Sequence, residues 1–255
     1  MRIALHPTKT DQITIDRYWA QFGHRPLLAA DTRPRARCPF CSQLLNDVAG
    51  RTGHTIGHFA HLPGSAGCPS KEPAGRPYIR LTPLTTDPQW AQWLKSQFFY
   101  YWERYYQKLE RLIPYLSLQE FLALVAEANR LRIWEYRHLD EWEIPYVFVL
   151  MVDFPVANSR MREGKPQRKY WFRFWYDSSV SCLDDLWIRR VGEPVLYRAS
   201  YPQPKRSGVV PGMESLITFN PIERTDDYLM KPVERPTPDW VRHEIALRLP
   251  QLLGL

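Results

Sequence analysis

Between Arg37 and Pro69 lie three of the chain's four cysteines and three of its seven histidines, a concentration that calls for a shared chemical role. Cys38 and Cys41 are separated by two residues, the spacing at which a tight turn aims both thiolates at one ion, and Pro39 stiffens that turn. A second group follows at His54, His58, His61 and Cys68. A structural zinc ion takes four tetrahedral nitrogen or sulfur donors, and a CxxC pair followed by a later pair is its usual sequence form. The expected ligand set is Cys38, Cys41, His61 and Cys68, with His58 as the alternative. His58 and His61 could also converge as the second half of a two-Cys two-His site. The expected cofactor is therefore Zn2+ in a structural role. A catalytic zinc needs an open coordination position and a nearby general base. The deaminase order, His-x-Glu before Pro-Cys-x-x-Cys, is absent, since Phe59 and Ala60 follow His58 and the CxxC comes first. A redox CxxC would need a βαβ context, which the flanking sequence does not supply. Apolar pieces at Leu44, Leu45 and Val48, broken by Gly50 and Gly53, suggest two short strands that return the chain to the metal.

CPFC followed by GHFAH resembles the amino-terminal zinc-binding segment of the competence protein CoiA-like family, over about residues 27–70. The resemblance implies a bacterial protein that handles DNA, in uptake, processing or defence, and a nuclease-like domain after the zinc segment. It covers under a fifth of the chain, so the remainder must be argued from its own residues.

Charge points the same way as the metal segment. The chain carries a net +7, and residues 1–80 hold eleven Lys and Arg against five Asp and Glu, which leaves the rest nearly neutral. Such asymmetry favours a polyanionic partner, DNA or RNA, because each neutralised phosphate releases counterions. Arg33, Arg35 and Arg37 alternate along the run into the CxxC and are the candidate phosphate-binding residues. No run approaches the ~18 apolar residues of a membrane helix. The opening MRIALHPTKTDQ lacks the apolar stretch of a secretion signal, so a soluble cytoplasmic protein is expected. Cys182 has no nearby partner and reads as a buried small hydrophobe.

The elements that must position these residues suggest an α+β chain in two parts, a zinc-binding basic module over 1–80 and a larger domain over 81–255. Arg2 to Leu5 and Pro26 to Ala30 read as strands, and Ile13 to Phe22 as a short helix or a strand and turn. Asp87 with Pro88 opens a helix expected to run to Ile113, with an aromatic stripe through Trp90, Phe98 and Tyr105. That stripe is core or a base-stacking platform. Ser117 and Glu120 form a capping box for a second helix to Asn129, packed on the first as a hairpin. Tyr146 to Val156 and Lys169 to Asp177 read as a β-hairpin with a basic loop, in which Trp171, Arg173 and Trp175 share one face. Further strands are expected at Leu186 to Val191 and Val195 to Ser200. A last helix opens at Thr237 and stops before Pro250.

For catalysis, Asp153 with Glu163 and Lys165 has the carboxylate spacing of a restriction-type metal nuclease, although Gly164 and Pro166 put the pair in a loop. Asp184 with Asp185 is a weaker candidate. No phosphate loop, GxSxG elbow or HExxH is present. The leading expectation is a zinc-binding nucleic-acid accessory factor. The alternatives are a protein-interaction scaffold and a divergent CoiA-like nuclease.

Overall fold

An eight-residue stretch without a single polar side chain except the Tyr146 hydroxyl, Ile144–Met151, forms the centre of the larger part of the molecule. A computed structural model of the chain describes residues 1–9, 11–24, 30–50, 57–65, 68, 71, 81–156, 168–177, 179–180, 182–188, 192–204 and 208–255. The architecture is α+β, with seven α-helices and three antiparallel sheets among the described residues, and none of these helices is long and apolar enough to cross a membrane.

The amino-terminal part is built from β1 (Ile3–Leu5) paired with β2 (Gln12–Thr14), then α1 (Ile15–Phe22), β3 (Leu45–Val48) and β4 (His58–His61). Thr14 caps α1 by accepting from the Arg17 N–H, and Gly23 ends it with a positive φ of 76°, a conformation open to glycine. The strand expected from Pro26 lies largely outside the described residues.

The helical layer begins with α2 (Pro88–Tyr100), where Asp87 accepts from Trp90 N and Pro88 fills the first helical position. Helix α2 does not run on to Ile113. The backbone leaves helical geometry at Tyr101 (φ −106°, ψ 20°), and α3 (Trp102–Leu112) starts afresh. Five consecutive aromatics, Phe98 to Trp102, are poor helix formers because each loses side-chain freedom against the preceding turn. The bend keeps Phe98 and Tyr105 stacked 4.7 Å apart. Helix α4 (Leu118–Arg130) has the expected capping box, and Phe121 meets both Phe98 and Tyr106 across the hairpin. The aromatic stripe is thus mainly core.

Ile144–Met151, expected as a strand, is helix α5, with all eight residues buried. A continuous apolar run has no periodicity to separate strand from buried helix. Pro145 in the first turn and Asp140 with Glu143 just before it were the helical signals. The expected hairpin with residues 169–177 reduces to one bridge, Phe154 to Phe172. The sheet itself is β5 (Trp171–Tyr176), β6 (Leu196–Tyr201) and β7 (Thr218–Ile222), in that order, with Phe172 opposite Ser200 and Ala199 opposite Phe219. β7 was not expected from sequence, and its Pro221 sits on an edge strand where the missing N–H breaks no further ladder. Leu183–Trp187 forms a short 3₁₀ helix over the start of the strand expected from Leu186 to Val191, whose residues 189–191 lie outside the described residues. After the short α6 (Asp227–Met230), α7 (Asp239–Leu253) continues through Pro250 and ends at Gly254 in the left-handed region. Three of its residues follow Pro250, so only the final turn bears the lost backbone bond.

Asp153 and Arg173 lock the sheet to the helical layer. The guanidinium donates from Nε at 2.9 Å and from its terminal nitrogen at 2.6 Å to the two carboxylate oxygens, and Trp171 Nε1 adds a third bond at 3.0 Å. Arg173 also lies over the Tyr201 ring and donates to Pro211 O. With Arg173 and Trp175 both buried, the face expected as a stacking surface is interior. Asp153→Ala should lower stability by about 3–5 kcal/mol, because the guanidinium is left buried and unpaired. Urea unfolding followed by circular dichroism would show this as a drop in midpoint.

Candidate metal centre

The turn carrying Cys38 and Cys41 closes on itself through backbone bonds. Ser42 N donates to Cys38 O at 2.9 Å, and Cys38 N to Gln43 O at 2.8 Å, with Ser42 held at φ 57°. Phe40 N points at the Cys38 sulfur, 3.4 Å away. Leu45 N bonds Ala36 O and Arg37 bridges both Leu5 and Leu44, so the turn is an extension of the small sheets rather than a free loop. Antiparallel pairing of β3 with β4 then sets His61 opposite Leu45, at the base of the turn.

Four donors meet there. Cys38, Cys41, His61 and Cys68 each place one ligand atom within 4.8 Å of all the others. Cys38 and Cys68 sulfurs are 3.7 Å apart, and Cys41 Sγ is 3.3 Å from His61 Nε2. Zinc–sulfur bonds near 2.3 Å and a zinc–nitrogen bond near 2.0 Å, set on a tetrahedron, put ligand atoms roughly 3.5–3.8 Å apart. The four side chains fit a tetrahedral ion. None of the three cysteines is in a disulfide, and Cys38 and Cys68 are buried while Cys41 and His61 are half-buried.

Electrostatics favours a cation at this point. Burial first, then hydrogen bonds to Cys41 and Cys68, push the Cys38 thiol far above its ordinary range. Cys41 is pulled down by its bond with Cys38, but the bond with Cys68 and burial bring it up to about 11. Three thiols this close do not ionise together without a positive charge among them, and a divalent ion held there would supply it.

The arrangement also separates His58 from His61. Strand residues alternate faces, so the pair three apart point to opposite sides of β4, with Phe59 and His61 on the inner side. His58 is not in the ligand group, and His54 lies outside the described residues. Phe59 packs edge-on against Tyr18 at 5.4 Å, and Trp19 Nε1 donates to Asp47 Oδ2 at 2.7 Å.

The candidate arginines divide. Arg33 is engaged within the module, donating to Asp31 at 2.8 Å and Asp47 at 2.7 Å, with only 11% of its side chain exposed. Arg37 donates to the carbonyls of His6 and Lys9. Arg35 alone of the three has neither hydrogen bond nor ion pair among the described residues. Of the nuclease candidates, Asp153 is held by Arg173 and Trp171, and Glu163 and Lys165 lie outside the described residues.

Phe40, at the tip of the turn, is a packing residue that the sequence reading passed over. It is buried against Trp175 at 4.6 Å, Phe219 at 5.4 Å and Tyr197 at 5.9 Å, all in the β5–β7 sheet. The expected boundary near residue 80 does not divide the buried core, which is continuous across it. An aromatic residue between two ligand cysteines was the available signal. Protein-family models, curated proteins and solved structures offer no match to this chain.

Two outcomes follow. Gly57→Ala should cost about 1–3 kcal/mol, since a Cβ at Gly57 would land on the Trp19 indole; thermal unfolding measures it. Phe40→Ala should cost about 3–5 kcal/mol as a large core truncation while the four donors remain in place. Denaturation together with cobalt spectroscopy would show lower stability with tetrahedral d–d bands retained.

Proposed function

We propose that this protein is a zinc-stabilised nucleic-acid-binding accessory factor, in which the ion is structural and fixes a basic amino-terminal surface. The observation that carries the reading is the closed set of four protein donors, which leaves no coordination position for water or substrate. Three thiolates and an imidazole suit zinc better than the oxygen-preferring magnesium or calcium. The basic excess of residues 1–80 supports a polyanionic partner, with exposed Lys9 and Arg17 and the unpaired Arg35 as phosphate contacts. The CPFC and GHFAH segments resemble CoiA-like proteins, which supports a place in DNA uptake, processing or defence. Catalysis by Asp153 has less support, because its carboxylate is fully engaged in the buried pair with Arg173. Protein interaction is the second reading, favoured by the exposure of Trp93, Tyr100 and Trp240 on α2 and α7.

Metal analysis of the purified protein should give one zinc per chain, and Cys68→Ser should abolish it. Chelation should unfold the amino-terminal part, because metal-binding free energy there is folding free energy. In fluorescence anisotropy with labelled DNA and RNA strands, affinity should fall steeply with salt. Each neutralised phosphate contributes a slope of about −0.7 on single strands. Charge reversal at Lys9, Arg17 and Arg35 should weaken all sequences alike. Binding indifferent to salt would remove the nucleic-acid reading and leave the zinc assignment intact.

A further inference from the structure

The four donors of the metal centre are not equally covered. Cys38 and Cys68 are 0% and 6% exposed, and their sulfurs lie 3.7 Å apart along one edge of the donor group. Cys41 and His61 form the opposite edge, 3.3 Å apart, and both are half-buried. Exposed Ser42 follows Cys41, and exposed Pro63 and Gly64 come shortly after His61, so this edge lies nearer to solvent. Of the three ligand cysteines only Cys41 keeps appreciable surface.

A cysteine that ligates a divalent ion does so as a thiolate, and the thiolate is the form that attacks electrophiles. Cys182 supplies the internal contrast. It too is half-buried, but it belongs to no metal-binding group among the described residues, and burial above all pushes its thiol up. Exposure without a cation leaves that sulfur protonated at neutral pH. At Cys41, moreover, a second sulfur stands ready. Cys38 lies three positions back in the same turn, with its Sγ inside the 4.8 Å that spans the donor group. A disulfide needs its two sulfurs at about 2.05 Å. The turn is closed by the bond from Ser42 N to Cys38 O, so joining its own two cysteines is a local movement, whereas joining Cys41 to Cys68 draws in a separate stretch of chain.

We infer that Cys41 is a site of oxidation by hydrogen peroxide and that Cys38 resolves it, so that peroxide discharges the metal centre. The inference rests on the zinc reading above. The Cys41 thiolate attacks one peroxide oxygen, the O–O bond breaks, and a sulfenic acid forms as hydroxide leaves. The Cys38 thiolate then attacks the Cys41 sulfur, an S–S bond forms, and a second hydroxide leaves. The two sulfurs give up two electrons, the peroxide takes them, and both hydroxides become water with protons from the solvent. His61 and Cys68 are then the only donors left, half of what a structural zinc site requires. The new bond also closes a ring through Phe40, the residue seated against Trp175, so the amino-terminal part loses its ion at the point where it packs on the sheet.

Stepwise addition of hydrogen peroxide to the full zinc-loaded chain tests it, with zinc release followed by a chromogenic chelator and disulfides located by non-reducing peptide mapping. One zinc should leave per disulfide formed, the first bond should join Cys38 to Cys41, and Cys182 should stay reduced. Limiting N-ethylmaleimide should label Cys41 at least tenfold faster than Cys38 or Cys68. Dithiothreitol followed by one equivalent of zinc should restore the metal content, and Cys182→Ser should release zinc at the wild-type rate. Zinc retained at millimolar peroxide, a first disulfide other than Cys38–Cys41, or tenfold slower release in Cys182→Ser would each overturn the inference and leave the zinc assignment standing. A purified chain that takes up no zinc would remove both.

Discussion

Everything at the front of the molecule depends on four soft donors from three separate stretches of chain reaching one point. Backbone bonds to β1 and the burial of Phe40 and Phe59 hold two of these stretches in part. β3 and β4 are four residues each, and an isolated two-stranded sheet of that length is marginal in water. The turn around Cys38 is preformed by backbone bonds, β4 presents His61, and Cys68 closes the set. Small β modules of this kind gain from a metal what larger domains gain from apolar area.

The charged residues show how poorly composition reports surface. Arg33, Arg168, Arg173 and Arg224 all have nine-tenths or so of their side chains buried, and each meets a carboxylate. Arg168 reaches Glu120, the same residue that completes the α4 capping box, so one carboxylate joins a helix start to the strand region. Buried pairs of this type favour one packing over others more than they add net stability. The basic character left at the surface of the amino-terminal part rests on residues such as Lys9, Arg17 and Arg35.

Much of the metal centre was legible because ligand chemistry restricts residue type and spacing together. The choice between His58 and His61 was legible only once β4 was known to be a strand, since the three-residue separation converges on a helix and diverges on a strand. Capping at Asp87 and Ser117 was visible in sequence because the caps act locally. The α5 segment was misread because a run buried on every side carries no periodic signal. The Phe40 contacts and the pairing of Arg33 with Asp47 join residues far apart in the chain, and only the fold brings them together.

Phe40 sits between two ligand cysteines and inside the aromatic sheet at once, so metal occupancy and sheet packing share one side chain. Coupling of that kind is reciprocal by thermodynamic necessity. Whatever free energy an ion held by the four donors would lend to the seating of this ring, a well-seated ring would return to the ion as tighter retention. A change in the sheet at Trp175 or Phe219, remote from any donor atom, would then be felt as weaker metal affinity.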